Sequence, residues 1–113
     1  MKSYTDLEQS KKLVELLPLE SADMFWMKDS KDFYEVVAIP YSESGADKDD
    51  GLPCWSLTSL LSVFPKIQGG KPIIALDDNY ITYPHIRDLH TKADNLVDAC
   101  YEMIIKLDEL KML

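Results

Sequence analysis

Between Trp55 and Pro65 a start signal, an apolar face and a stop signal agree, and this stretch constrains the fold more than any other. Leu57, Leu60, Leu61 and Phe64 fall at i, i+3, i+4 and i+7, the spacing that lines large apolar side chains along one face of an α-helix. Ser56 stands where an N-cap belongs. Trp55 before it at N′ and Leu60 at N4 can form a hydrophobic staple, and Pro65 ends the helix. A helix this short does not persist alone in water, so its apolar face must dock on something. Burial of such side chains stabilises by roughly 1.5–3 kcal/mol each, an upper figure because the unfolded chain already hides part of that area. The expectation is a core helix over 56–64 with Trp55 as a structural staple.

The flanking segments supply what it docks on. Thr5-Asp6-Leu7-Glu8 reads as a capping box with Thr5 as N-cap, opening an amphipathic helix over 6–17 that Pro18 ends. Residues 22–41 are rich in aromatic and β-branched residues around a turn-like Lys28-Asp29-Ser30-Lys31-Asp32, the pattern of a β-hairpin. In its second strand Phe33, Val37 and Ile39 alternate with Tyr34, Val36 and Ala38, so both faces are apolar and at least one needs a cover. Residues 42–52 then read as an exposed, mobile acidic loop. Strands over 72–76 and 80–86, joined by Asp77-Asp78-Asn79, predict a second hairpin, with Pro72 at a strand start and Tyr83-Pro84 at an edge or end. The closing helix, over 92–111 with Thr91 and Asp94 as a box-like cap, carries Leu96, Val97, Cys100, Met103, Ile104, Leu107 and Leu110 in one stripe. That stripe also fits a three-heptad dimer seam, but core packing is the preferred reading. The fold class that follows is α+β: a single domain over 1–113, with an antiparallel sheet of two hairpins packed against three helices.

Charge narrows the range of partners. The net charge is −8, and residues 1–50 hold six of the twelve basic residues against twelve of the twenty acids. Arg87 is the only arginine, whereas phosphate and base recognition favour arginine forks on a basic surface, so direct nucleic-acid binding is disfavoured. An acidic surface instead attracts basic partners. The N-terminal Met1–Lys12 segment has no apolar signal region, and no apolar run approaches the ~20 residues that cross a bilayer. A cytoplasmic, non-membrane protein, monomeric or weakly homodimeric, is the expectation.

Several residue groups invite a chemical reading. His85, His90, Asp94 and Cys100 are the nearest approach to a metal-ligand set, with His90 and Asp94 at i, i+4. Against it, His90 precedes a cap, His85 lies beside a proline, and Cys100 falls on the packed stripe. A Cys54–His85 nucleophilic pair is conceivable in three dimensions, yet nothing local to Cys54 resembles an activated thiol. Both cysteines read as small buried hydrophobes. Asp47-Lys48-Asp49-Asp50-Gly51 suggests a calcium loop, but counting from Asp47 the glycine falls at position 5 and Thr58 at position 12, so the EF-hand pattern fails. Gly69-Gly70 lacks the flanking spacing of a phosphate loop and reads as a turn. No catalytic residue, cofactor or metal is assigned.

The run Pro53-Cys54-Trp55-Ser56-Leu57, continuing through Leu60, Leu61 and Pro65, fits a PxWSLxxLLxxxP core. Ala93-Asp94-Asn95-Leu96-Val97-Asp98-Ala99 with Glu102, Met103 and Ile104 fits a closing ADxLVDAxxEMI helix. In these two motifs, and along most of its length, the chain resembles small uncharacterised proteins of gut Bacteroidetes and their prophage-like elements. The resemblance implies a mobile-element context and supplies no catalytic residue.

Three function classes follow. The favoured one is a non-catalytic interaction module that binds a protein with a basic surface, engaging it through Glu43, Asp47, Asp49 and Asp50, where Gly45 and Gly51 permit movement. The alternatives are an acidic decoy for a nucleic-acid-binding protein and a small enzyme built on His85 or His90 near Cys54.

Overall fold

The computed structural model describes residues 2–45 and 51–113. Its elements run α1 (Leu7–Leu13), β1 (Met24–Lys28), β2 (Tyr34–Val37), β3 (Gly51–Cys54), α2 (Leu57–Ser62), β4 (Ile73–Ala75), β5 (Tyr80–Thr82), β6 (His90–Lys92) and α3 (Leu96–Glu109). The class is α+β with three helices and antiparallel strands, as the patterning predicts. Both expected hairpins are present, and each gains a third strand. They form two separate sheets, ordered β2-β1-β3 and β4-β5-β6.

The third strand of the first sheet comes from residues the sequence reading divides between the acidic loop and the approach to α2. Gly51 pairs with Met27, Leu52 with Trp26, Pro53 with Phe25 and Cys54 with Met24. Pro53 has no N–H to offer, which suits the outer strand that β3 is. The third strand of the second sheet, β6, takes Thr91 away from its expected capping role: Thr91 pairs with Ile81, and its hydroxyl donates to the Ala99 carbonyl at 2.8 Å. The cap of α3 is Asn95, whose side chain accepts the Asp98 N–H at 2.8 Å.

The α1 cap shifts by one residue. Asp6 is the N-cap, accepting the Gln9 N–H at 2.8 Å while the Gln9 side chain accepts the Asp6 N–H at 3.1 Å. Thr5 is instead buried, its hydroxyl accepting the Trp55 N–H at 3.1 Å and sharing a hydrogen bond with the Ser10 hydroxyl. The helix proper stops at Leu13, and the chain continues in turns to a buried Leu17.

α2 forms as expected, with Ser56 accepting the Ser59 N–H. Trp55, Leu60 and Phe64 are buried together with Leu13 and Leu17, with Ile81, Tyr83 and Leu89 of the second sheet and the turn after it, and with the stripe of α3; Leu57 and Leu61 pack partly buried against this cluster. Trp55 completes its burial by donating its indole N–H to the Ser21 hydroxyl at 2.9 Å. Along α3, Leu96, Val97, Cys100, Met103, Ile104 and Leu107 are all buried within the chain's own core, while Leu110 is 49% exposed and leaves the stripe.

Candidate functional site

The residues that looked chemical in the sequence are held by different neighbours, and each works for the fold. His85 sits in the connection after β5, where one ring nitrogen contacts the Ile67 carbonyl. Its ring also lies so close to Gly70 that a Cβ there would come within 2.6 Å of Cε1, so a larger residue at this position in the turn closed by Ile67 and Gly70 would force the ring to shift. Tyr83 reinforces the same turn, donating its hydroxyl to the Pro65 carbonyl at 2.8 Å, and burial pushes its phenol up to about 12. His90, on β6, lies against Tyr80 with ring centroids 5.7 Å apart. Cys54 is surrounded by Thr5: its thiol donates to the Thr5 carbonyl at 3.5 Å and accepts from the Thr5 hydroxyl at 3.7 Å. Burial raises its pKa to about 11, and that of Cys100, inside α3, to about 12, so both thiols stay protonated at neutral pH. Asp94 enters through its backbone, whose carbonyl accepts from the Asn79 amide. Among the described residues no group of three or more His, Cys, Asp or Glu is placed to hold a metal ion.

Two carboxylate clusters are built more carefully. Asp23 accepts both the backbone N–H and the hydroxyl of Ser56, locking the residue that caps α2. Burial alone would raise the Asp23 pKa, but the hydrogen bonds it accepts, those from Ser56 first, with Ser59 and its own backbone N–H, together outweigh it and hold the carboxyl below its usual value. The Ser56 hydroxyl thus donates to Asp23 while its oxygen accepts the Ser59 N–H, so both of its hydrogen-bonding roles serve the start of α2.

The second cluster ties the N-terminal segment to α3. Asp98 accepts from Lys2 Nζ at 2.7 Å, from the Gln9 amide at 2.7 Å and from the Asn95 amide at 2.9 Å, and Lys2 reaches Asp6 at 3.0 Å. Burial acts against all three charges, yet these hydrogen bonds and charges prevail: Asp6 and Asp98 are lowered and Lys2 is raised. A hollow of about 470 Å³ opens beside it, lined by Leu57, Leu76, Leu96, Asn79 and Lys2, but the lysine's charge is already committed to two carboxylates. Among the described residues every buried side-chain nitrogen and oxygen has a hydrogen-bond partner. Polar groups inside this chain are spent on its own fold.

Large apolar side chains in solvent gather on the first hairpin, with Ile73 and Leu76 exposed on the second. The turn of the first hairpin is built by Asp29, whose carboxylate accepts the N–H groups of Lys31 and Phe33, and by Asp32 in the left-handed region at φ 64°. The strand bases are covered, with Phe25 buried and Val36 and Val37 half-buried, but the cover ends there. Phe33 is 68% exposed and Ile39 47%, with Met27 and Tyr34 also in solvent. The doubly apolar pattern of this strand was visible in the sequence; the expected cover over a whole face is not supplied. Glu35 is exposed in β2 itself. Glu43 is exposed in a short 3₁₀ turn over Tyr41–Glu43, anchored by the Tyr41 N–H on the Ala22 carbonyl. Asp47, Asp49 and Asp50 lie outside the described residues. The last two residues of the expected loop, Gly51 and Leu52, belong to β3.

Compared with protein families, with curated proteins and with solved structures, the chain finds no match. Among the described residues no helix is long and apolar enough to cross a membrane.

Proposed function

We propose that this chain is a small non-catalytic interaction module that binds a protein partner with a basic surface, using the exposed first hairpin and the acidic segment that follows it. The observation that carries the reading is the coincidence of exposed apolar side chains, Phe33 and Ile39 above all, with the acids Asp29, Asp32, Glu35 and Glu43 on one stretch of chain. Large apolar side chains left in solvent and rimmed by charge are what interaction surfaces display. The polar groups of the interior, by contrast, are consumed by caps and clamps. Glu43, Asp47, Asp49 and Asp50 are assigned to attracting the partner, with Lys48 the one base among them.

Charge of this kind steers encounter more than it tightens the final complex. The partner recovered with the tagged protein from its native host supplies the ligand, and replacement of Asp47, Asp49 and Asp50 by Asn supplies the test. The association rate is expected to fall several-fold and to lose most of its salt dependence, because exposed charges are screened over a Debye length of about 8 Å at physiological ionic strength. The thermal midpoint should stay nearly unchanged. An unaltered association rate would reduce the acidic segment to a connector.

A further inference from the structure

Resting on that reading, we propose that the partner docks by adding an extended, basic segment to the free edge of β2, becoming a fourth strand of the first sheet. β2 is the outer strand of the order β2-β1-β3, and among the described residues no strand lies beyond it. The Asp29 N–H donates to the Phe33 carbonyl at 2.8 Å, and in an antiparallel ladder hydrogen-bonded pairs alternate, so the next such pairs are Met27 with Glu35 and Phe25 with Val37. The N–H and C=O groups of Tyr34 and Val36 therefore point away from β1. They form a ready template for another strand.

The other three outer strands carry protection that β2 lacks. β3 contains Pro53, and beside its end the N-terminal segment pairs through Tyr4 and Ser56. β4 is three residues long and follows Pro72. β6 is also three residues long, ends on Lys92, and is tied to α3 through Thr91. Proline, lysine, short length and coverage are the usual devices against unwanted pairing. β2, Tyr34-Glu35-Val36-Val37, has no proline and no lysine, and its one charge is an exposed acid.

Charge selects the occupant. Glu35 on β2 and Asp29 and Asp32 in the turn before it make this end of the sheet acidic, and Lys28 is already paired with Asp32 at 3.2 Å. A second copy would bring another net −8 to the same place, whereas a segment alternating lysine or arginine with apolar residues meets Glu35 with opposite charge on one face and Tyr34 and Val36 with apolar surface on the other.

The probe is a short peptide alternating lysine with valine, titrated against the full chain. Its controls are the same peptide N-methylated at alternate amides, which keeps the charge, and a glutamate–valine peptide. Binding of the first, with the Tyr34 and Val36 amides becoming protected from hydrogen exchange, is the expected result. N-methylation should weaken binding about tenfold, and the glutamate peptide should not bind. Val36→Pro removes one outward N–H without touching the pairs that hold β2 to β1, and should also weaken binding about tenfold at an unchanged net charge. If this variant does not fold, the N-methylated peptide on the unaltered protein decides. Equal binding of the N-methylated and parent peptides would overturn edge docking, as would no binding, and a dimer in sedimentation that Val36→Pro dissociates would overturn the basic occupant in favour of a second copy. A native partner slowed by the Asp47, Asp49 and Asp50 replacements but indifferent to Val36→Pro would sink this docking mode alone. A native partner indifferent to both would sink the interaction surface itself.

Discussion

Thr5 shows how one hydroxyl can join parts of the chain far apart in sequence. It is fully buried and its oxygen serves the Trp55 N–H and the Ser10 hydroxyl, while its backbone N–H donates to the Trp55 carbonyl at 2.9 Å and its carbonyl accepts the Trp26 indole N–H at 3.2 Å. Thr5→Val keeps the volume but leaves the Trp55 N–H and the Ser10 hydroxyl without their partner in a site closed to water. The cost of such orphaned groups is about 1–3 kcal/mol, readable as a lower urea midpoint at an unchanged slope. Thr5→Ser, which keeps the oxygen, should lose much less. Similar losses for Val and Ser would place the effect in packing rather than in the hydroxyl.

At the scale of elements the caps were legible in kind and off in register. Thr5 with Glu8 and Asp6 with Gln9 are both box-like pairs, and so are Thr91 with Asp94 and Asn95 with Asp98. In each case the later frame is used, because tertiary contacts claim the earlier residue: Trp55 takes Thr5, and the Ala99 carbonyl takes Thr91. The distinction can be measured on α3. Asn95→Ala should cost about 1 kcal/mol as a lost N-cap, while Thr91→Ser, which retains the hydroxyl, should cost less than half of that in the same denaturation experiment. An Asn95→Ala variant as stable as the parent would mean that the helix is capped elsewhere. Strands were harder to read than caps. β6 is three residues long, too short to show a period of two, and β3 is held by pairing with β1 rather than by its own Gly- and Pro-containing sequence. The α2 face and the α3 stripe were legible because their spacing is helical over several residues and the side chains are large. The hairpin surface was half legible: its apolar alternation was plain, but which strand ends up outermost depends on β3, and no local signal announces β3. Trp55, Ser56, Leu60, Val97 and Met103, all within the two sequence motifs, are cap and core residues.

For the molecule as a whole, the N-terminal segment, α1 and the start of α3 are joined by Lys2, Asp6, Gln9, Asn95 and Asp98, and this junction makes stability depend on pH. Asp6, Asp23 and Asp98 are all held below the ordinary carboxyl range, despite burial that pushes the other way, by the hydrogen bonds they accept. Between the folded and unfolded pKa values the unfolded chain therefore binds more protons, so stability rises with pH across that interval. The contribution is complete above the unfolded value of about 3.9 and is lost as pH falls through the depressed folded values. Lys2 has the opposite sense: raised by Asp98 and Asp6 over the burial that would lower it, its share is complete below about 10.4 and is lost at higher pH. The thermal midpoint should thus be nearly flat from about pH 5 to 8 and fall below about pH 4. Asp98→Asn separates this junction from Asp23, which lies apart from it at the α2 cap. The amide oxygen can still receive the Gln9 amide, but the charge that holds Lys2 is gone. The midpoint at pH 7 should drop by a few degrees, and the variant's acid limb should be shallower because one depressed carboxyl has left the proton balance. Parallel curves for the variant and the parent protein, offset but equally steep below pH 4, would assign the acid sensitivity to Asp6 and Asp23 and leave Asp98 a hydrogen-bond acceptor whose charge is immaterial.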